Sequence, residues 1–106
     1  MNTIHTVQEL QQKVQNLQSN EVLLDVRSLS EFQAGHIDQP INMNISNPKS
    51  IYSLKNLDKS KTYIVYCQSG GRAQLASMLM SKMGFQVINS KVGIMHWMRE
   101  GLPLEK

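Results

Sequence analysis

Two short apolar runs constrain the fold of this chain more than any other feature of its sequence. They are VLLDV at residues 22–26 and TYIVY at residues 62–66. Each is rich in branched or aromatic residues and lacks the polar–apolar alternation of a half-exposed strand, which is typical of a strand covered on both faces. Helices on both sides of a sheet provide such a cover, so the runs predict an α/β fold with a mostly parallel sheet.

Helical patterns lie between these runs. TVQE at 6–9 and SLSE at 28–31 both have the form of a capping box, in which a Ser or Thr is followed three residues later by Glu. The first box opens an amphipathic helix that we expect to end near Asn20. The second opens a short helix that Gly35 should stop.

The other elements complete an alternation of strands and helices. A brief strand is predicted within 37–48, a short helix over 50–57, a strand over 85–88 and a last helix over 93–99. The helix before Gly84 should bury one face, formed by Leu75, Ala76, Leu79, Met80 and Met83. Core filling is also the predicted role of Met78, which lies on or beside this helix. Ile94 and Trp97 should point inward from the last helix.

Length and composition limit the classes of protein that remain. One hundred and six residues suit a single domain spanning 1–106, and a net charge of +3 does not demand nucleic acid. The N-terminus lacks the pattern of a signal peptide, and no apolar stretch approaches the length of a membrane span. We therefore expect a cytoplasmic protein that binds neither membrane nor nucleic acid.

The single cysteine, Cys67, is the most informative residue in the chain. It excludes an internal disulfide, a CxxC redox pair and a zinc site of several thiolates, and nothing else in the sequence indicates a metal or another cofactor. Cys67 ends the predicted strand and precedes Gln68, Ser69, Gly70, Gly71, Arg72 and a helix. The glycines let backbone N–H groups converge on one point at the positive end of the helix, and Arg72 adds a charge that favours thiolate over thiol.

The loop resembles the active-site loop C-x-S-G-x-R of rhodanese-family sulfurtransferases. Further blocks follow in the family's order: LDVR with EF at 24–32, GHI followed by Asn42, and GIMHW followed by GLP at 93–103. The resemblance covers nearly the whole chain. It implies a rhodanese-like α/β fold, with a mainly parallel five-stranded sheet flanked by helices on both faces.

The resemblance also implies a reaction. The Cys67 thiolate would take a sulfane sulfur from a small donor anion such as thiosulfate and hold it as a persulfide. A thiol, a protein or cyanide would then accept the sulfur. One alternative is a rhodanese-like binding or persulfide-carrier module with little turnover. A thiol-based arsenate reductase or phosphatase is disfavoured, because such enzymes use C-x5-R and only four residues separate Cys67 from Arg72.

Other polar residues are expected to support the loop rather than react. Asp25 and Arg27 suit a hydrogen-bond network at a strand end, Arg27 and Glu31 are predicted to form one ion pair, and His36 should anchor a loop. The chain departs from the family at Ala73, where Ser is common, at Val92, and at Asp38, Gln39 and Pro40, which replace P-G-A.

Overall fold

A five-stranded sheet forms the centre of the computed structural model, which describes residues 2–106. The strands lie in the order β1-β5-β4-β2-β3, and each of the four neighbouring pairs is parallel. Their bounds are β1 Asn2–Ile4, β2 Glu21–Asp25, β3 Ile41–Asn42, β4 Thr62–Tyr66 and β5 Gln86–Ser90. The expected fold class, a parallel α/β sheet, is therefore confirmed.

Four α-helices connect successive strands, and a fifth follows β5. They are α1 Val7–Gln15, α2 Leu29–Ala34, α3 Pro48–Ser53, α4 Gly71–Lys82 and α5 Ile94–Arg99, and a 3-10 turn, Leu54–Asn56, follows α3. Both predicted capping boxes are present, at Thr6 and Ser28. None of the helices in residues 2–106 is long and apolar enough to cross a membrane.

Successive residues of the central strands supply two separate cores. Leu23 and Ile64 point to the face covered by α1 and α5, where Trp97 is also buried. Leu24 and Val65 point to the opposite face, which is covered by α4 and by Leu54 of the 3-10 turn after α3. Burying a side chain of this size stabilises the fold by about 1.5–3 kcal/mol. Because successive side chains of a strand point to opposite faces, a continuous apolar run stabilises helices packed on both faces of the sheet.

Several details differ from the sequence-based expectation. The first helix ends at Gln15 rather than near Asn20, and β1 pairs with β5 although no strand was predicted before the first helix. The predicted inner face of α4 is wrong at Leu75, which is 52% exposed, and the core role of Met78 is wrong because that side chain is 47% exposed. Small residues, Ala73, Ala76 and Ser77, are buried instead, because α4 lies close to the sheet.

The parallel arrangement determines where the polar loops meet. Asp25 ends β2 and Tyr66 ends β4, and these two residues are directly paired in the sheet. The segments that follow them, 26–28 and 67–70, therefore emerge side by side at the carboxyl edge. Ligands usually bind at this edge of an open α/β sheet.

One exposed residue has a strained backbone. Gln39 has φ +63°, in the left-handed region that costs a residue with a side chain about 1–2 kcal/mol. Gln39→Gly should raise the free energy of unfolding by about 0.5 kcal/mol, because the relief of strain exceeds the greater chain entropy of glycine. Urea denaturation of the variant measures this change.

The control is the same substitution in a regular helix. Gln33→Gly, in α2, should lower the free energy of unfolding by about 0.5–1 kcal/mol, since glycine weakens helix interiors. Equal effects of the two substitutions would contradict the assignment of strain to Gln39.

Candidate active site

The sulfur of Cys67 lies at the carboxyl end of β4 beneath the turn that leads into α4. The residue is only 1% exposed. Its Sγ accepts hydrogen bonds from the N–H of Gly70 at 3.0 Å and from the N–H of Ala73 at 3.4 Å. Both donors lie at the start of α4, whose positive dipole end faces the sulfur, so this cradle stabilises negative charge there.

Gly70 allows the loop to turn sharply enough to form the cradle. Its φ is +115°, and a Cβ at this position would lie 2.7 Å from the carbonyl oxygen of Lys91. Both the backbone conformation and the close approach of the chain after β5 therefore require glycine here. The prediction that both loop glycines are needed for their backbone freedom is therefore right at Gly70 and wrong at Gly71, which begins α4 and where a Cβ would meet nothing within 4 Å.

The outward-facing carbonyls of the loop are held by the start of α5. The N–H of Ile94 donates to the carbonyl oxygen of Cys67 at 3.0 Å, and the N–H of Met95 donates to that of Gln68 at 3.2 Å. A Cβ on Gly93 would overlap both carbonyl oxygens. The N–H of Gly93 donates in turn to Nδ1 of His96 at 3.0 Å, which closes the first turn of α5. These contacts fix the backbone orientation around the sulfur.

A buried ion pair supports the loop from the side of β2. The Arg27 guanidinium donates to Asp25 through Nε at 3.1 Å and Nη2 at 2.8 Å, and both residues are almost fully buried. Nη2 also donates to the carbonyl of Gly35 at 2.7 Å, while Nη1 lies 3.3 Å from Oε1 of Gln68. Asp25 and Arg27 thus form a hydrogen-bond network that extends to the loop.

The predicted Arg27–Glu31 ion pair is wrong. Glu31 pairs instead with Arg72, through Nη1–Oε1 at 2.6 Å and Nη2–Oε2 at 2.9 Å. Arg27 pairs with Asp25 because the two residues lie close together at the end of β2. The hydrogen bonds from Arg72, opposed by partial burial, lower the pKa of Glu31 to about 2. The same hydrogen bonds raise the pKa of Arg72, with a smaller contribution from the charge of Cys67.

Two further side chains, Tyr66 and His36, lie around this network. Burial, aided by the charge of Asp25, raises the pKa of Tyr66, whose hydroxyl accepts a hydrogen bond from the N–H of Ile37 at 3.4 Å. The ring of His36 stacks on Phe32 at 3.9 Å between centroids, and its Nδ1 lies 2.8 Å from the carbonyl oxygen of Ile37. His36 therefore packs against Phe32 and Ile37 in the loop after α2.

Some of these residues were not predicted as part of the site. In the sequence, Gly93 stands only within the GIMHW block, and His96 has no predicted role. Neither role could be predicted, because Gly93 acts through its backbone and His96 through a helix cap. The hydrogen bond between Arg27 and Gln68 joins residues 41 positions apart and has no local sequence pattern. Within residues 2–106, no group of three His, Cys, Asp or Glu side chains could share a metal ion.

Comparison with known proteins identifies the family. The family model described as a rhodanese-like domain matches residues 6–100. This chain belongs to the rhodanese-like domain family. Its resemblance to rhodaneses, first seen in the loop at Cys67, thus extends from α1 to α5 and includes strands β2 to β5.

Relatives and solved structures agree with this assignment. The chain is 28% identical over 86 residues to a sulfurtransferase of Allochromatium vinosum, covering 78% of this chain and 77% of that protein. It is 35% identical over 78 residues to a tRNA sulfurtransferase of Tolumonas auensis, covering 68% of this chain but 15% of that protein. A rhodanese-related protein from Thermoplasma volcanium superposes with a TM-score of 0.81 and 28% identity, covering 99% and 98% of the two chains.

Several relatives are longer than this rhodanese-like domain. The chain spans 23% of the matched protein of Porphyra purpurea and 58% of that of Schizosaccharomyces pombe. The similarity to these longer proteins therefore establishes the domain alone.

The close approach of Gly93 to the loop generates a prediction. Gly93→Ala should lower the free energy of unfolding by at least about 2 kcal/mol or displace the loop, because the new Cβ overlaps two carbonyl oxygens. Thermal denaturation, together with amide exchange of residues 67–70, measures both effects.

Gly71→Ala is the matched control. A Cβ on Gly71 meets nothing within 4 Å, so this variant should stay within about 0.5 kcal/mol of the wild type. If Gly93→Ala has the same free energy of unfolding and the same amide exchange at residues 67–70 as the wild type, α5 does not hold the loop.

The ion pair between Glu31 and Arg72 should make stability depend on pH. The folded-state pKa of about 2 lies below the unfolded value, so the contribution is complete above about pH 4.5 and is lost as the pH falls toward 2. Both side chains are one-third exposed, and solvent screening reduces the expected contribution to about 1 kcal/mol. Glu31→Gln should therefore cost about 1 kcal/mol at pH 7 and little near pH 2.

Urea denaturation at several pH values tests this expectation. A difference between wild type and Glu31→Gln that stays constant from pH 7 to pH 2.5 would contradict it.

Proposed function

We propose that this domain is a sulfurtransferase that carries sulfane sulfur as a persulfide on Cys67. The observation that carries the proposal is the cradle around Sγ, in which the N–H groups of Gly70 and Ala73 converge on a buried sulfur. Such donors stabilise the thiolate needed for attack and the negative charge of the persulfide that results.

The first half of the reaction loads the sulfur. The Cys67 thiolate attacks the sulfane sulfur of the donor, a new S–S bond forms, and the old bond to that sulfur breaks. The electron pair leaves with the rest of the donor, which is sulfite when the donor is thiosulfate. In the second half, an acceptor nucleophile attacks the outer sulfur and regenerates the thiolate.

The acceptor must come from another molecule. Cys67 is the single cysteine of the chain, so no second thiol can resolve the persulfide internally. Its burial favours a slender acceptor, either a small thiol or a thiol at the end of a protein segment. We further propose a cytoplasmic setting, where reducing conditions keep a lone thiol available.

The polar residues around the loop take supporting roles in this proposal. Arg72 lies close enough to Cys67 to interact with its charge. The substrate-binding loop we propose consists of Gln68, Ser69, Gly70 and Gly71, of which Gly70 donates to the sulfur. Asp25, Arg27, Glu31 and His36 position the loop and the start of α2.

Two other functions fit the site less well. The burial of Sγ favours a persulfide carrier with slow turnover as the second candidate, because access limits both half-reactions. Phosphatase or arsenate reductase chemistry suits the loop poorly, since four residues separate Cys67 from Arg72 and the guanidinium is bound to Glu31.

Intact mass spectrometry tests the proposal directly. Treatment with thiosulfate, or with an alkyl persulfide, should add about 32 Da for one sulfur, bound to Cys67. Cys67→Ser should gain nothing, and a thiol added afterwards should return the wild type to its original mass.

Absence of the adduct with both donors would overturn the proposal. A loaded protein that no thiol can discharge would favour a carrier that depends on a particular partner.

A further inference from the structure

The charged side chains around Cys67 neutralise one another. Arg27 is bound to Asp25, and Arg72 is bound to Glu31 through both of its terminal nitrogens. Lys91 touches the loop through its backbone, and its side chain is exposed. Among the described residues, therefore, both arginines near the loop are already paired with a carboxylate, and backbone N–H groups are the direct hydrogen-bond donors to the sulfur.

Glu31 is held firmly in this arrangement. Its Oε1 accepts hydrogen bonds from the N–H of Ser28 at 3.1 Å and the hydroxyl of Ser28 at 3.0 Å, in addition to Arg72. Releasing Arg72 for a substrate anion would therefore break a bidentate, charge-assisted contact that the capping box of α2 keeps in place.

A cleft beside the loop could hold the organic part of a donor. It has a volume of about 320 Å³ and lies between α2, the loop and the end of the chain. Its wall includes Gln68, the neighbour of Cys67, and the charged residues Arg27 and Glu31. The rest is Gly35 and the apolar side chains of Ala34, Ile94, Met98 and Leu104. An inorganic anion has no group that would use this apolar surface.

We propose that an organic persulfide is a better sulfur donor for this site than thiosulfate, and that Glu31 is the residue that determines this preference. This inference rests on the proposed function and specifies its donor. Thiosulfate carries two negative charges close to its sulfane sulfur, whereas a persulfide carries at most one and has an organic tail. Glu31 both repels the dianion and occupies the guanidinium that would bind it.

The loading step for a persulfide is balanced without a further reagent. The Cys67 thiolate attacks the outer sulfur of R–S–SH, forming a bond between Sγ and that sulfur while the S–S bond of the donor breaks. The electron pair leaves on R–S⁻, and the proton remains with the transferred sulfur or passes to solvent. One thiolate is consumed and one is released.

The experiment compares loading rates for two donors in the full chain. The probes are thiosulfate and 2-hydroxyethyl persulfide, and the readout is the second-order rate of the mass gain on Cys67. The wild type should load faster from the persulfide. Glu31→Gln should accelerate loading from thiosulfate about tenfold and change loading from the persulfide much less, because one repelling charge is removed.

Glu21→Gln is the matched control. Glu21 forms an ion pair with Lys13 at 2.7 Å and lies at the opposite end of β2, so its variant makes the same change of charge away from the sulfur. It should leave both rates unchanged. Glutamine at position 31 can still accept the hydrogen bonds of Ser28, and circular dichroism verifies that the variant is folded.

The outcomes separate the two proposals. Loading from both donors with an unchanged rate ratio in Glu31→Gln would overturn the role of Glu31. Faster wild-type loading from thiosulfate would overturn the donor preference, while the sulfurtransferase proposal would stand. Only the absence of loading from either donor would remove both.

Discussion

The hydrogen bonds between the loop carbonyls and the start of α5 are the interaction on which the site depends. Ile94 and Met95 donate to the oxygens of Cys67 and Gln68, which fixes the first two peptide groups of the loop that leads to Gly70, a hydrogen-bond donor to Sγ. Peptide groups are rigid, and fixing the oxygen of a peptide also fixes the direction of its N–H. The space for this contact exists because Gly93 has no side chain.

A second constraint is electrostatic. Burying Arg27 with Asp25 removes two charges from water, which costs free energy unless the geometry is good. Here the Arg27 guanidinium also donates hydrogen bonds to the carbonyl oxygen of Gly35 and to Oε1 of Gln68, and its Nε is shared between both oxygens of Asp25. The pair thus contributes more to the position of the loop than to attraction of an anion.

The sequence predicts the fold more completely than the site. Continuous apolar runs and capping boxes are local signals, and they place β2, β4, α1 and α2 to within a few residues except at the end of α1. Leu75 and Met78 were misplaced because helical periodicity identifies an apolar face without showing whether small residues must take the inner one. In α4, Ala73, Ala76 and Ser77 occupy the inner face.

The partners in ion pairs were also ambiguous in the sequence. Arg27 and Glu31 are close along the chain, whereas Arg72 is brought to Glu31 only by the tertiary fold.

The depth of Cys67 has a consequence for the behaviour of the protein in air. A disulfide requires the two Cβ atoms to approach within about 4.5 Å. With 1% of the residue exposed and the loop held by α5, two copies of the chain cannot meet at their sulfurs unless the loop opens. The folded protein should therefore resist covalent dimerisation during storage, although its cysteine has no partner to protect it.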